Sequence, residues 1–172
     1  MEEMLDTFDI NGNFLSVKPK SFCHGKYPNC YHKTVWIWIV NTTGKVLVQL
    51  RSSQKSFMPN KWDISCAGHI MSGEDIIFAA QRELKEELGL TVLPEDLSFQ
   101  CQILSPSLYE LGQIFILRAD IDVDSLTLQK EEVEAVKWLS YSEFVACLYS
   151  DVFVDHDKNC KDAFERIIKE FI

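Results

Sequence analysis

The stretch from Gly68 to Leu90 reads GHIMSGEDIIFAAQRELKEELGL and decides the fold. Apolar residues recur four apart in it, as an amphipathic helix requires, at Ile76, Ala80, Leu84 and Leu88. We therefore predict a helix over 75–88. Ser72 followed by Asp75 predicts a capping box at its start, and Gly89 supplies the left-handed residue expected at its end.

This helix also carries three glutamates, Glu83, Glu86 and Glu87, at relative positions zero, three and four. That spacing places them on one face, opposite the apolar stripe. Like charges so placed repel by on the order of 0.2–0.5 kcal/mol for each exposed pair. A divalent cation removes the conflict, because Mg²⁺ prefers carboxylate oxygens and keeps positions open for phosphate oxygens. Taken alone, three glutamates favour an ordinary solvated face, so the metal hypothesis depends on the residues around them.

Those residues read Gly68-x5-Glu74-x7-Arg82-Glu83-Leu84-x-Glu86-Glu87-x-Gly89-Leu90, which resembles the Nudix hydrolase signature at every fixed position. The resemblance implies an α+β fold, a Nudix-type α/β/α sandwich with a mixed sheet and a metal-binding loop–helix–loop. It implies that Glu83, Glu86 and Glu87 bind the metal together with the carbonyl of Gly68. It also implies that Glu74 pairs with Arg82 to brace the helix.

The reaction that this resemblance implies is hydrolysis of a diphosphate linkage. The metal, Mg²⁺ or alternatively Mn²⁺, would orient the diphosphate and lower the pKa of an attacking water, whose proton a carboxylate accepts. Glu86 is one candidate base. Glu132 is another, since Lys130-Glu-Glu-Val133 resembles a distal acidic segment of many Nudix proteins, although a surface acid is an equal alternative. With Arg82 and Glu74 these form the predicted catalytic set.

The residues before the signature indicate a branch of the superfamily. Gln49-Leu-Arg51-Ser52, Lys55, Pro59, Trp62, Ser65 and Gly68-His69 resemble isopentenyl-diphosphate isomerase, which shares the Nudix fold but moves a double bond. The substrate-binding residues implied by this likeness are Arg51, Lys55, His69 and Glu110. Local cations suit a diphosphate in a protein that is acidic overall.

Two departures from the isomerase pattern favour hydrolysis. Ala67 stands where the isomerase has a catalytic cysteine, and Cys66, one residue earlier on a strand, should point to the opposite face. Gly112 replaces the second acid of a Glu-x-Glu pair. We therefore predict an isomerase-like hydrolase. The alternatives are the isomerase itself and a non-catalytic Nudix scaffold that binds a ligand.

A second metal site is left open by the sequence. His24, His32 and His69 could stand in for the metal-binding histidines of the isomerase. The nearby Cys23 and Cys30 are also residue types that bind zinc, although their spacing matches no recognised zinc pattern.

Composition limits the class of partner. The 172 residues carry a formal net charge of −9, which argues against a nucleic-acid polymer and leaves a small diphosphate as the expected partner. The N-terminal segment lacks a signal-peptide pattern, and the longest apolar run, 35–40, is too short to span a bilayer. We expect a single Nudix domain over 1–172, cytoplasmic and without a membrane partner. The sequence does not indicate its oligomeric state.

Other elements follow from local patterns. Asn11-Gly12 between apolar residues predicts an N-terminal hairpin over 8–14. Strands are predicted over 34–40, 45–50, 63–70, 99–104, 113–119 and 135–139. Two further helices are predicted over 142–149 and 161–172.

Overall fold

The computed structural model of the chain describes residues 2–25, 27 and 29–172 and contains one mixed sheet of nine strands in that part. The strands are β1 Met4–Phe8, β2 Phe14–Pro19, β3 Tyr31–Val40, β4 Val46–Arg51, β5 Trp62–Asp63, β6 Cys66–His69, β7 Leu97–Ser105, β8 Glu110–Arg118 and β9 Val133–Leu139. The helices are α1 Lys20–Cys23, α2 Ile76–Leu88, α3 Tyr141–Leu148 and α4 Lys158–Lys169.

Strand β3 is the centre of the sheet. It pairs antiparallel with β1, β4 and β6, and parallel with β8 from His32 to Val40. Both of its faces are covered, so its run of apolar residues is almost continuously buried.

Alternate residues of β3 enter two hydrophobic cores. Val35 and Ile37 pack in the core that contains the apolar stripe of α2. Trp36 and Trp38 pack on the other face, in the core built with α3 and α4. One helical layer on each side of the sheet gives an α/β/α sandwich, which confirms the predicted fold.

The ends of α2 are set by local residues, though not entirely as predicted. Asp75 is the N-cap, and its carboxylate accepts hydrogen bonds from the backbone N–H groups of Ile77 at 2.9 Å and Phe78 at 3.3 Å. The predicted capping box from Ser72 is wrong, because the Ser72 hydroxyl lies 2.6 Å from Asp6 instead. Gly89 ends the helix with a φ of 72°, as predicted.

The predicted strand over 63–70 is broken into β5 and β6. Ser65 lies between them, and its hydroxyl accepts from the backbone N–H of Ile39 at 2.9 Å and donates to the carbonyl of Leu47 at 2.6 Å. A side chain thus takes the place of ladder bonds at this point, and β6 can pair with β3 while β5 pairs with β4.

The remaining predictions are mostly confirmed. The N-terminal hairpin is present, with Gly12 at a φ of 82° in its turn. The last helix begins three residues before the predicted start and ends at Lys169 rather than at Ile172, and the short α1 was not predicted. Within the described ranges, no helix is both long and apolar enough to cross a membrane.

Candidate active site

The three glutamates of α2 lie against β6, where Gly68 makes room for one of them. A Cβ atom at Gly68 would lie 1.9 Å from Cδ of Glu83. Only glycine therefore allows this carboxylate to reach the backbone of β6. Glu83 and Glu87 are buried, with 9% and 4% of their surfaces exposed, whereas the side chain of Glu86 is 52% exposed.

Burial makes ionisation of the two inner carboxylates costly. It raises the pKa of Glu87 to about 8, with the neighbouring charge of Glu83 adding to the effect. It raises the pKa of Glu83 to about 7, although Arg82 opposes the shift. Glu87 accepts long hydrogen bonds from Gln49 at 3.3 Å and from the backbone N–H of Ala67 at 3.4 Å. Crowded, weakly bonded carboxylates beside a glycine fit a hard divalent cation.

Arg82 connects these carboxylates to the loop before α2. Its Nε and Nη2 atoms donate to the two oxygens of Glu74 at 2.7 and 2.9 Å, and Nη2 also donates to the carbonyl of His69 at 2.9 Å. Its Nη1 donates to Glu83 at 2.7 Å and to Glu86 at 3.1 Å. The structure therefore brings the predicted Glu74–Arg82 pair into direct contact with two of the predicted metal ligands.

Next to β6 lies a cavity of about 730 Å³. Gly68 forms part of its wall, and so do Lys55 and Glu132, which form an ion pair with each other. The candidate base Glu132 is thus held in the cavity by a predicted phosphate-binding cation. Glu86, the other candidate base, lies on the more exposed side of α2.

Arg51 lines this cavity, but its guanidinium is occupied by the protein. Nε donates to the carbonyl of Met58 at 3.1 Å, Nη2 to that of Phe57 at 2.9 Å, and Nη1 to Asp63 at 3.1 Å. Arg51 therefore holds the 52–60 loop in place, and any contact with a substrate would add to that role.

The structure also brings His24, His32 and His69 together, with one nitrogen atom from each ring lying within 4.8 Å of the others. Neither nitrogen of His32 has a hydrogen-bond partner among the described residues, and burial lowers the pKa of His32 to about 3. Glu110, hydrogen-bonded to Thr34 at 3.2 Å, lies 3.9 Å from His32. Neutral imidazoles grouped in this way suit a transition metal. Cys23 and Cys30 do not belong to the cluster.

The two departures from the isomerase pattern have a structural basis. Ala67 lines the cavity, whereas Cys66 points the other way, into the core beneath α2, as predicted from the alternation of a strand. At position 112, a Cβ atom would lie 2.4 Å from the indole ring of Trp36. The Trp36 ring therefore occupies the space that a second acid would need.

Two residues of the cavity wall were missed in the sequence. Asp63 and His156 form a buried hydrogen bond of 3.0 Å. An acid inside an apolar strand segment was a possible signal for Asp63. The sequence gave no signal for His156, because its partner Asp63 lies 93 residues away in the chain.

The buried carboxylates predict how stability depends on pH. Without metal, we expect the melting temperature to fall by roughly 5 °C or more between pH 6 and pH 8. The pKa values of about 7 for Glu83 and about 8 for Glu87 lie above the ordinary 4.5, so in this window the folded state binds more protons than the unfolded state. The free energy of unfolding therefore declines as pH rises.

Mg²⁺ should replace those protons and raise the melting temperature more at pH 8 than at pH 6. Thermal denaturation in EDTA and in excess Mg²⁺ measures both effects, and Glu87→Gln should flatten the pH dependence. An EDTA profile that is flat or rises towards pH 8 would contradict this account.

Comparison with known proteins identifies the family of the chain. The chain matches the NUDIX domain family over residues 31–160. Nudix hydrolase 3 of Arabidopsis thaliana is 36% identical over 173 residues, covering 92% of this chain, and an uncharacterised Nudix hydrolase of Listeria innocua is 36% identical over 131 residues, covering 75% of each. This chain spans only 22% of the length of the Arabidopsis relative. The chain belongs to the Nudix family, and the two relatives named above carry the name Nudix hydrolase, in agreement with the predicted enzyme class.

Solved structures share the fold. The DR0079 protein of Deinococcus radiodurans superposes with a TM-score of 0.72 at 20% identity, covering 98% of both chains. The Nudix domain of NrtR from Shewanella oneidensis, solved in complex with ADP ribose, gives a TM-score of 0.58 at 19% identity, covering 78% of this chain and 87% of that one. At these identities the likeness supports the architecture alone.

Proposed function

We propose that this Nudix protein is a divalent-metal-dependent hydrolase that cleaves a diphosphate linkage in a nucleotide or another small diphosphate. The observation that carries the proposal is the packing of Glu83 against Gly68, with Glu87 buried beside it. Glu83 lies against Gly68, and Gly68 lines a cavity large enough for a small organic diphosphate.

Glu83, Glu86, Glu87 and the carbonyl of Gly68 would hold the metal, which is Mg²⁺ or Mn²⁺ by the chemistry of these donors. When bound, the ion supplies charge neutralisation and an acidified water. Arg82 and Glu74 keep the helix at the correct distance from β6. Lys55 is placed to receive a phosphate oxygen, and Glu132 to accept a proton once Lys55 has moved from it.

The decisive assay measures phosphate release from a panel of diphosphates, with Mg²⁺, with Mn²⁺ and with EDTA. The panel should contain nucleotides, nucleotide sugars, dinucleotides and isoprenoid diphosphates. Nucleotides belong in it because a fold relative, the NrtR domain, binds ADP ribose. Hydrolysis of at least one member that EDTA abolishes is the expected result. Metal-independent hydrolysis, or none at all, would refute the proposal and favour a ligand-binding scaffold.

The isomerase alternative is tested in the same samples. Conversion of isopentenyl diphosphate to its double-bond isomer should be undetectable, because Ala67 offers no acid or base to the cavity and Trp36 fills the space beside Gly112. Turnover that is lost in Cys66→Ala would overturn this assignment.

Lys55→Met should raise KM by about tenfold, the loss of roughly 1.4 kcal/mol that one charge-assisted hydrogen bond to a phosphate is worth. The change in kcat reports on Glu132, which loses the partner that positions it. Lys45→Met, at an exposed lysine distant from the cavity, is the matched control. Equal kinetics for the two variants would exclude a contact between Lys55 and substrate.

We also propose a second metal site at His24, His32 and His69. Titration of the metal-free protein with Co²⁺ should give one absorbance transition that His32→Asn removes, while Glu87→Gln leaves it in place. The two buried nitrogens of His32, neither of which has a partner among the described residues, support this site, and so does the 2.9 Å separation of the Nε2 atoms of His24 and His69. The same spectrum in His32→Asn as in the unsubstituted protein would exclude it.

A cytoplasmic location remains part of the proposal. All six cysteines, each within the described residues, are unpaired. Free thiols in this number are typical of a reducing compartment.

A further inference from the structure

The Asp63–His156 pair lies in the wall of the cavity but outside the metal-binding cluster. Asp63 belongs to β5, and His156 to the segment that leads into α4. The Nε2 atom of His156 lies 3.0 Å from Oδ1 of Asp63. The other ring nitrogen, Nδ1, is buried and has no hydrogen-bond partner anywhere in the described ranges. His156 is only 5% exposed, and buried polar atoms normally have a hydrogen-bond partner, so the unpaired Nδ1 needs an explanation.

The imidazole ring is held rigidly in this position. Trp36 and Phe164 pack on it edge-to-face, each with its ring centroid within 5.5 Å of the imidazole, and Phe153 lies 6.1 Å away. His156 is part of the cavity wall, and a ring fixed by packing loses little conformational entropy when a ligand binds to it.

Asp63 fixes which nitrogen is available. Burial opposes ionisation of Asp63, but its hydrogen bonds to His156 and to the backbone N–H of Ile64, together with the charge of Arg51, outweigh burial and lower the pKa of its carboxyl group. Asp63 is therefore an anion that accepts the Nε2–H bond. In the neutral imidazole this tautomer leaves a lone pair on Nδ1, so the free nitrogen is a hydrogen-bond acceptor.

We infer that His156 is a specificity residue, whose Nδ1 accepts a hydrogen bond from a hydroxyl or N–H group on the part of the substrate that is attached to the diphosphate. The ring contacts Trp36, Phe153 and Phe164 and none of the predicted metal ligands. Arg51, which also bonds to Asp63, is a predicted phosphate-binding cation, but protein groups occupy its guanidinium. The ring therefore meets a part of the substrate other than the phosphates. Asp63 is a positioning residue that holds the ring in the required tautomer.

This inference rests on the proposed function and narrows its substrate class. A nucleoside, a sugar or another polyol carries suitable donors, whereas a hydrocarbon chain does not. A hydrocarbon in this position would leave the buried nitrogen unpaired, and sites built to hydrogen-bond a substrate discriminate strongly against analogues that lack the group.

Binding of non-hydrolysable analogues tests the inference separately from catalysis. The probes are methylene-bridged diphosphonates with equal phosphonate charge, joined to adenosine, to a hexose or to a straight alkyl chain. Calorimetry in Mg²⁺ should show that at least one polar analogue binds about tenfold or more tightly than the alkyl analogue. His156→Phe should abolish that preference by weakening the polar analogue alone.

Two further variants separate recognition from folding. His156→Gln keeps a hydrogen-bonding side chain and should retain part of the preference, even if His156→Phe is unstable. Asp63→Asn removes the anion that orients the ring and should reduce the preference, with a larger effect on KM than on kcat in turnover assays. Melting curves identify any variant that is not folded.

The outcomes are distinguishable. Tighter binding of the alkyl analogue, or equal weakening of all analogues in His156→Phe and His156→Gln, would show that His156 is only structural. Polar preference that depends on His156, without any metal-dependent hydrolysis, would uphold the inference while refuting the hydrolase proposal. Metal-dependent hydrolysis whose substrate preference does not depend on His156 would uphold the hydrolase proposal and refute the inference about His156.

Discussion

Replacing Glu87 by glutamine is expected to reduce kcat by about 10³-fold while leaving the protein folded. Glutamine has the same shape but lacks the charge that the metal requires, and metal charge contributes several kcal/mol to the transition state, each 1.36 kcal/mol being worth tenfold in rate. The substitution also removes a buried carboxylate whose pKa is raised to about 8, so the melting temperature without metal at pH 8 should rise or stay unchanged.

A variant that loses activity but keeps its stability would show that the loss comes from the missing carboxylate and not from unfolding. Glu95→Gln, at an exposed glutamate outside the site, should have the activity of the unsubstituted protein. Rates are to be measured at saturating substrate over a range of Mg²⁺ concentrations. If Glu87→Gln retains full activity at low Mg²⁺, the metal is not held where we propose.

Gly68→Ala should have the second largest effect. The added methyl group would overlap the Glu83 carboxylate, 1.9 Å from its Cδ atom, and must displace either that side chain or β6. We expect kcat/KM to fall by more than about 10²-fold, because a shift of a fraction of an ångström disrupts a positioned catalytic group. Overpacking should also reduce the free energy of unfolding by roughly 1–3 kcal/mol.

Gly112→Ala provides a comparison with similar crowding but different neighbours. Its methyl group would meet the ring of Trp36 rather than a carboxylate, so it should destabilise the protein yet preserve the rise in melting temperature on adding Mg²⁺. In Gly68→Ala that rise should disappear. Retention of the Mg²⁺ effect in Gly68→Ala would mean that Glu83 does not bind the metal.

The parts of this protein that could be predicted from the sequence are those that depend on neighbouring residues. The apolar spacing of α2 and the left-handed Gly89 act within a few residues of chain, and both are present as predicted. The sequence predicted Ser72 as the N-cap, whereas the structure has Asp75, because either residue type can cap a helix. The hydroxyl of Ser72 bonds to Asp6, a distant residue that the local pattern does not include.

The features that could not be predicted depend on distant partners. Ser65 interrupts a strand by bonding to β3 and β4, which no local pattern reveals. Arg51 is a strand-end cation in the sequence, and only the folded 52–60 loop shows that carbonyl groups occupy its guanidinium. The assembly of His24, His32 and His69 likewise joins three separate elements. The sequence suggested such a cluster, but only tertiary structure could bring it together.

Strand β6 also bears on how new specificities could arise. Cys66 faces the core beneath α2, whereas its neighbour Ala67 faces the cavity. Adjacent positions of one short strand therefore contribute to the packing of α2 and to the cavity wall, respectively. If the proposals above are correct, the backbone of β6 separates the carboxylates that hold the metal from the side chains that select the substrate. A directed-evolution library confined to Ala67, Trp36 and His156 would vary substrate selection while leaving the residues of the proposed metal site unchanged. Relatives that keep the signature but diverge on the cavity side could acquire different substrates by the same route.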